Sequence, residues 1–539
     1  MVDVVIVGGG PTGLTAACLC ERLGLEAIVL ERRDRPQEAP AAHVVNARTF
    51  EIWRQAGMDM ERILAAAHPP AEAGWVHFVT RLGGDIVGSL PFERQGDEMY
   101  GITPTPLRNL SQHHVVPILA DHVRDLRHGH AFVAFEAGDD GVVVDVDGPD
   151  GRYRITADWL VAADGAASPV RRSLGIEMDG PRTIQSFLMI HLAGDLRPLT
   201  GAAPGVLHFL VDPEPGGVFV SHGADREWVF MHEWEPEHTS IDAYDDDRCR
   251  ALVLAALAPG AAASVDFEVR DTAVWHMSAQ VAREYHRDRV FLTGDAAHRF
   301  PPTGGLGLNS GVADAHNLIW KLAAVHAGWA PDTILETYEA ERRPVAQFNC
   351  DQSLLNALGL AAVPAAFGFE HATQGTTAHI EDVLADPERR AAVQSAIAEQ
   401  AIHFDLLGLQ LGHTYDGPLV VDDGTTRPPL AEPARDYQPS TRPGGRLPHA
   451  WLPDGSSTLD LVDRAAPTIL VRAGDERPTF AGGPPVVVAD VPKAVWSDAF
   501  ALEPGTALIV RPDQHVAARV RLAEVDETLA SLFMPPEPT

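Results

Sequence analysis

Residues 2–31 read VDVVIV, GGGPTG, LTAACLCERLG and LEAIVLE in succession, and this stretch decides the fold. A β-branched run ends at once in a glycine-rich turn. An apolar helix follows and closes near Gly24, and a second buried run ends at Glu31. Strand, helix and strand within about 30 residues make a βαβ unit. Its parallel strands need helices on both faces, so the chain opens as an α/β fold.

Gly8, Gly10 and Gly13 stand at G-x-G-x-x-G spacing between that strand and that helix. One glycine allows the tight turn, one lets the backbone approach a pyrophosphate, and one lets helix and strand pack closely. The free N–H groups and the helix dipole then hold phosphate charge. Glu31, at the end of the second strand, is placed to accept both hydroxyls of a ribose. These residues imply a dinucleotide; alone they do not separate NAD from FAD.

The rest of the chain sets limits on that reading. Its 539 residues exceed one domain, and 45% apolar with 22% charged residues is a globular balance. A net charge of −33 disfavours nucleic acid and anionic membranes as partners. An anionic cofactor therefore needs locally placed arginines, which brings Arg32, beside Glu31, into the cofactor set. Four scattered cysteines suit neither a disulfide scaffold nor a zinc site. With no signal peptide and no bilayer-length apolar run, a cytoplasmic location is expected. The pairs His113-His114 and His128/His130 lack carboxylate or cysteine partners at ligand spacing, so no metal is expected.

Residues 130–160 alternate as a β-meander with Asp-Gly turns, not as a calcium loop. Residues 176–280 read as a separate sheet. RVFLTGDAAH returns to a buried strand, with helices expected from Asn309 to about Gly328 and over 333–357. The last hundred residues alternate strands and helices as a small α/β unit.

Two later segments carry a resemblance. Residues 163–171, ADGAASPVR, resemble the DG motif of single-component FAD-dependent aromatic hydroxylases. Residues 294–298, GDAAH, followed by 301–309, PPTGGLGLN, resemble their GD motif. The resemblance spans about residues 1–350, with the motifs in the family's order. It is nearest in character to phenol and chlorophenol hydroxylases and to polyketide-tailoring enzymes that end in a thioredoxin-like domain.

The resemblance implies a Rossmann-like FAD-binding domain over 1–70, 101–175 and 281–355. It implies a substrate-binding β-sheet domain over 71–100 and 176–280, a helical connector over 356–412 and a thioredoxin-like domain over 413–539. FAD would be held by the glycine turn and Glu31, by Asp164, and by Asp295 on a ribitol hydroxyl. Gly305, Gly307, Leu308 and Asn309 would face the flavin's N1–C2=O edge with backbone N–H groups. Gln112 would touch the flavin, and Arg48 would lie near its pyrophosphate or near NAD(P)H. His43 and Asn46 are expected close to the ring. The Pro302 carbonyl would face a substrate hydroxyl; Arg283, Trp275 and His276 would border the pocket, the competing readings being a surface arginine, a core tryptophan and a satisfied histidine.

No second fingerprint follows a strand, so NAD(P)H would visit transiently. O2 would react as a flavin C4a-hydroperoxide that hydroxylates a phenolic or polycyclic, polyketide-type aromatic. Baeyer–Villiger insertion, epoxidation and oxidative rearrangement use the same chemistry and stay open. A catalytically silent flavin or ligand binder is the competing class. A homodimer is a further expectation.

Overall fold

A computed structural model describes residues 1–138, 140–369, 375–427, 429–480 and 482–534. The opening βαβ unit forms as read: strand Val2–Val7, helix Pro11–Arg22 and strand Ala27–Glu31. Val2–Val7 is the centre of a sheet, parallel to Ala27–Glu31 on one side and to Gly151–Ala162 on the other. Leu126–His128 and Val290–Leu292 extend it in parallel. Four of six residues in the central strand are buried, the continuous apolar run that a strand covered on both faces requires. The meander Ala131–Gly138, Gly141–Gly148 and Gly151–Ala162 hangs from the same sheet as antiparallel strands.

A second sheet has seven strands, in the order Phe267–Met277, Gln185–Gly194, Glu227–Glu233, Gly217–Gly223, Leu207–Leu210, Trp75–Val79 and Ile86–Pro91. It therefore draws on two separated stretches of chain. The stretch 356–412 is more than a connector. Val363, Phe367, Ile380, Val383, Val393 and Ile397, from its helices, share one core with Val76, Phe78, Val87 and Leu90 of this sheet. Those helices cover a sheet face that would otherwise expose its apolar side chains to water.

The GD segment is followed by helix Leu306–His326, which begins three residues ahead of Asn309, and then by helix Thr337–Gly359. Near the C-terminus, strands Val487–Val491, Thr468–Arg472, Thr506–Val510 and Val516–Arg521 form a four-stranded sheet. Its first pair is parallel and the others antiparallel. Among the described residues, the crossover between the parallel pair contains no helix. A two-residue pairing, Val44–Val45 with Arg108–Asn109, brings two distant loops together beside the GD helix.

Candidate flavin site

The three fingerprint glycines divide their work sterically. Gly8 sits at φ +112°, where a Cβ would lie 2.2 Å from the Ala163 carbonyl oxygen. A Cβ on Gly13 would lie 2.0 Å from the Gly8 oxygen. Around Gly10 there is nothing within 4 Å, so that backbone faces open space. Gly8 and Gly13 thus allow the fold to close, and Gly10 leaves room for a ligand.

Glu31 is held by two backbone donors, Gly9 N at 2.8 Å and Arg33 N at 2.9 Å. It lines a cleft with Gly9, Gly10, Arg33, Arg35 and Gln112. Arg32, Arg33 and Arg35 are all exposed, and Arg33 and Arg35, not Arg32, line this cleft. The alternation of side chains past a strand end carries that signal, since residue 33 shares the face of residue 31.

The DG and GD segments meet across the strand ends. Asp164 Oδ2 accepts from Val170 N at 3.1 Å, while its Oδ1 is buried with no partner. Burial raises the pKa of this carboxyl. Arg171 Nη1 donates to the Ala296 carbonyl at 2.8 Å and ties the two segments together. Asp295 is exposed at this turn, so its carboxylate is open to solvent. It lies 3.9 Å from where a side chain on Gly307 would begin, beside the start of helix Leu306–His326. Among the described residues no donor bonds it, unlike Asp314, which accepts from Gly294 N, His298 and Arg342. An acceptor left open beside a helix N-terminus fits the hydroxylated chain and electron-rich edge of a flavin nucleotide.

Gly304 and Gly305 take φ +95° and +61° to start that helix, and Gly305 N donates to the Pro302 carbonyl at 3.0 Å. Two expectations change here. One lone pair of the Pro302 carbonyl closes the turn, and the Gly305 N–H is used in doing so. The N–H groups of Leu306, Gly307 and Leu308, in the first turn, have no intrahelical partner. Asn309 acts through its side chain: Nδ2 donates to Val44 O at 2.9 Å, and Oδ1 accepts from Asn46 N at 2.9 Å. The loop carrying His43 and Asn46 is thereby fastened to the GD turn.

His43 Nδ1 lies 2.5 Å from Asn109 Oδ1, a pairing that the Val44–Asn109 strand register creates. Asn109 Nδ2 donates to His68 and to the Ser221 carbonyl, which turns Oδ1 toward His43. His43 therefore carries its proton on Nδ1 and presents Nε2 as an acceptor. Burial lowers its pKa to about 4, so it is neutral at ordinary pH. His222 stands edge-on to it at 5.2 Å.

Other expected positions lie elsewhere. Arg48 is buried, with Nη1 on Glu51 and Gln514 and Nη2 on the Asp513 carbonyl. Its charge serves contact with the C-terminal unit. Arg283 is half exposed and ion-paired with Asp179 and Glu177. Trp275 and His276 lie on an edge strand, against Phe187 and Ser186. The pair His113-His114 does gain a carboxylate, Glu227, which is remote in sequence and was therefore invisible as ligand spacing.

An FAD-binding domain matches over residues 1–353, and the C-terminal domain of aromatic-ring hydroxylases over 440–536. The chain is 30% identical to aklavinone 12-hydroxylase DnrF of Streptomyces peucetius, across 92% of this chain and 95% of that protein. It is also 30% identical to tetracenomycin A2 monooxygenase-dioxygenase of Streptomyces glaucescens, across 97% and 94%. The crystal structure of the flavin-dependent monooxygenase PieE with FAD and substrate superposes with a TM-score of 0.90 at 32% identity, over 99% of both chains. Fingerprint, DG segment and GD turn at one set of strand ends, on a chain matched along its length, make this protein a member of the FAD-dependent aromatic-ring monooxygenases.

Proposed function

We propose that this monooxygenase hydroxylates a polycyclic, polyketide-type phenol, using NAD(P)H and O2. The observation that carries the reading is the open acceptor of Asp295 beside the free N–H groups of Leu306, Gly307 and Leu308. When bound there, FAD supplies the redox and oxygen-activating chemistry. The chain's own residues bind and orient. Glu31 takes the ribose hydroxyls, Gly8, Gly10 and Gly13 admit the pyrophosphate, and Asp164 and Gln112 complete the cradle. Asp295 takes a ribitol hydroxyl, and the helix N-terminus favours negative charge on the ring edge facing it.

His43 Nε2 is the group we assign to the substrate hydroxyl. A neutral imidazole fixed by Asn109 accepts the phenolic hydrogen bond at any pH above about 4. The second lone pair of the Pro302 carbonyl can share that hydroxyl. The large seven-stranded sheet and the polycyclic substrates in relatives' names support a substrate broader than simple phenol. Turnover of an aromatic panel under labelled O2, read by mass spectrometry, tests the assignment. One labelled atom on an aromatic carbon is expected; no incorporation with any polycyclic phenol would sink it. We place the protein in the cytoplasm, consistent with four free, buried thiols, and expect a homodimer, which light scattering checks.

A further inference from the structure

Helix Gln112–Ala120 starts at the flavin cleft with Gln112 and then presents two consecutive histidines to strand Glu227–Glu233 of the second sheet. His113 Nε2 lies 2.8 Å from Glu227 Oε2, and His114 Nε2 lies 3.5 Å from the same oxygen. The ligand atoms of all three residues fall within 4.8 Å of one another. Neighbouring helical residues normally point about 100° apart, yet these two imidazoles stand 4.0 Å apart, centroid to centroid, aimed at one carboxylate oxygen.

Hydrogen bonding accounts for His113 but not for His114, which converges on an oxygen it is too far away to bond. A shared ion accounts for both. Two imidazole nitrogens and a carboxylate oxygen are the donor set of borderline divalent metals, and three protein ligands leave positions open for water.

The surrounding groups are those such a site needs. Ser111 Oγ lies 3.0 Å from His113 Nδ1, the nitrogen that faces away from the carboxylate, and also bonds His222. His191 Nε2 lies 2.9 Å from Glu227 Oε1, the oxygen that His113 and His114 leave free. The ring and the carboxylate are each oriented by a partner behind them, as ligands of metal sites are.

We propose that His113, His114 and Glu227 form a binding site for a divalent transition ion, of which Zn2+ is the probe. The bound ion would clamp the helix bordering the flavin cleft to the second sheet. It has no part in the oxygen chemistry, and the proposal stands or falls independently of the monooxygenase reading.

The test uses the full-length, tag-free, FAD-loaded protein, titrated with Zn2+ by calorimetry and followed by thermal melting. Binding of one ion per chain and a rise in melting temperature with zinc concentration are expected. E227Q, H113A and H114A should each abolish the tight site. H191A, which touches only the far oxygen, should weaken it by about 10–100-fold while the ligands remain. A second gathering, Asp3, Asp158 and His326, lies nearer the surface and serves as the control. Loss of binding in H326A with retention in H114A overturns the proposal, as does absence of stoichiometric binding. If E227Q fails to fold, H114A and H191A decide it, because neither removes the His113–Glu227 hydrogen bond.

Discussion

Alanine at Gly8 and at Gly10 separates folding from cofactor binding. At Gly8 it meets both a left-handed backbone and the Ala163 oxygen, so loss of about 1–3 kcal/mol and of the flavin together is expected. At Gly10 the backbone is extended at φ −81° and the Cβ meets no protein atom. Gly10→Ala should therefore keep its melting temperature and lose flavin absorbance, and an equal loss of both would contradict the division of roles. Asp295→Asn makes a parallel case. The carboxylate accepts nothing from the described residues, so flavin affinity should drop with little change in the melting temperature of the apoprotein. Histidines set the acid side of stability. Burial lowers the pKa of His43, His208 and His449 to about 4 from an ordinary 6.5. Between those values the unfolded chain binds more protons than the folded one, so stability falls as pH drops through this window. Melts recorded from pH 7 down to 4 should show that decline, and His208→Gln should flatten it.

Among the elements, the contact between helix Pro11–Arg22 and helix Leu306–His326 joins the fingerprint to the GD turn. A Cβ on Gly311 would stand 2.2 Å from Thr12 Oγ1 and 3.0 Å from Gly294 Cα. Gly311→Ala should cost about 1–3 kcal/mol by overpacking, and Thr12→Ala should recover part of that in the double variant. Chemical denaturation of the four proteins in this cycle measures the coupling, and strict additivity would refute the contact as its source. Both helices were readable from sequence, because apolar periodicity and glycine chemistry act locally. That Gly311 must be small was not readable, because the neighbour that makes it so is about 300 residues away. The helices of 356–412 repeat the lesson: the resemblance implied a helical stretch there, but not the sheet face that it covers.

Across the whole molecule, a buried ionic network binds the C-terminal unit to the flavin-binding one. Glu341 accepts from Lys321 at 2.7 Å and from Arg511 Nη2 at 2.8 Å, and Arg511 Nη2 also reaches Asp513 at 2.6 Å. Glu51 pairs with Arg446 at 2.8 Å, and Arg48 reaches Asp513 and Gln514. Removing one member leaves an uncompensated buried charge. Glu341→Gln should therefore destabilise by about 3–5 kcal/mol, measured as a shift in urea midpoint. A surface ion pair such as Arg62–Asp121, more than half exposed at both ends, should give less than about 1 kcal/mol when broken.

Strand, turn and helix around residues 2–31, the acid at Glu31 and the order of the DG and GD segments follow from nearest neighbours along the chain. Backbone stereochemistry and hydrophobic period are local properties, and they implied a dinucleotide; the resemblance carried by the DG and GD segments narrowed it to FAD. Arg48 and Arg283 have equally plain local settings, yet partners at residues 513–514 and 177–179 direct them to an internal joint and to the surface. The same holds for His43 with Asn109 and for the histidine pair with Glu227. A charged or polar side chain takes its role from whichever group meets it after the chain has closed, and only the tertiary structure decides that meeting.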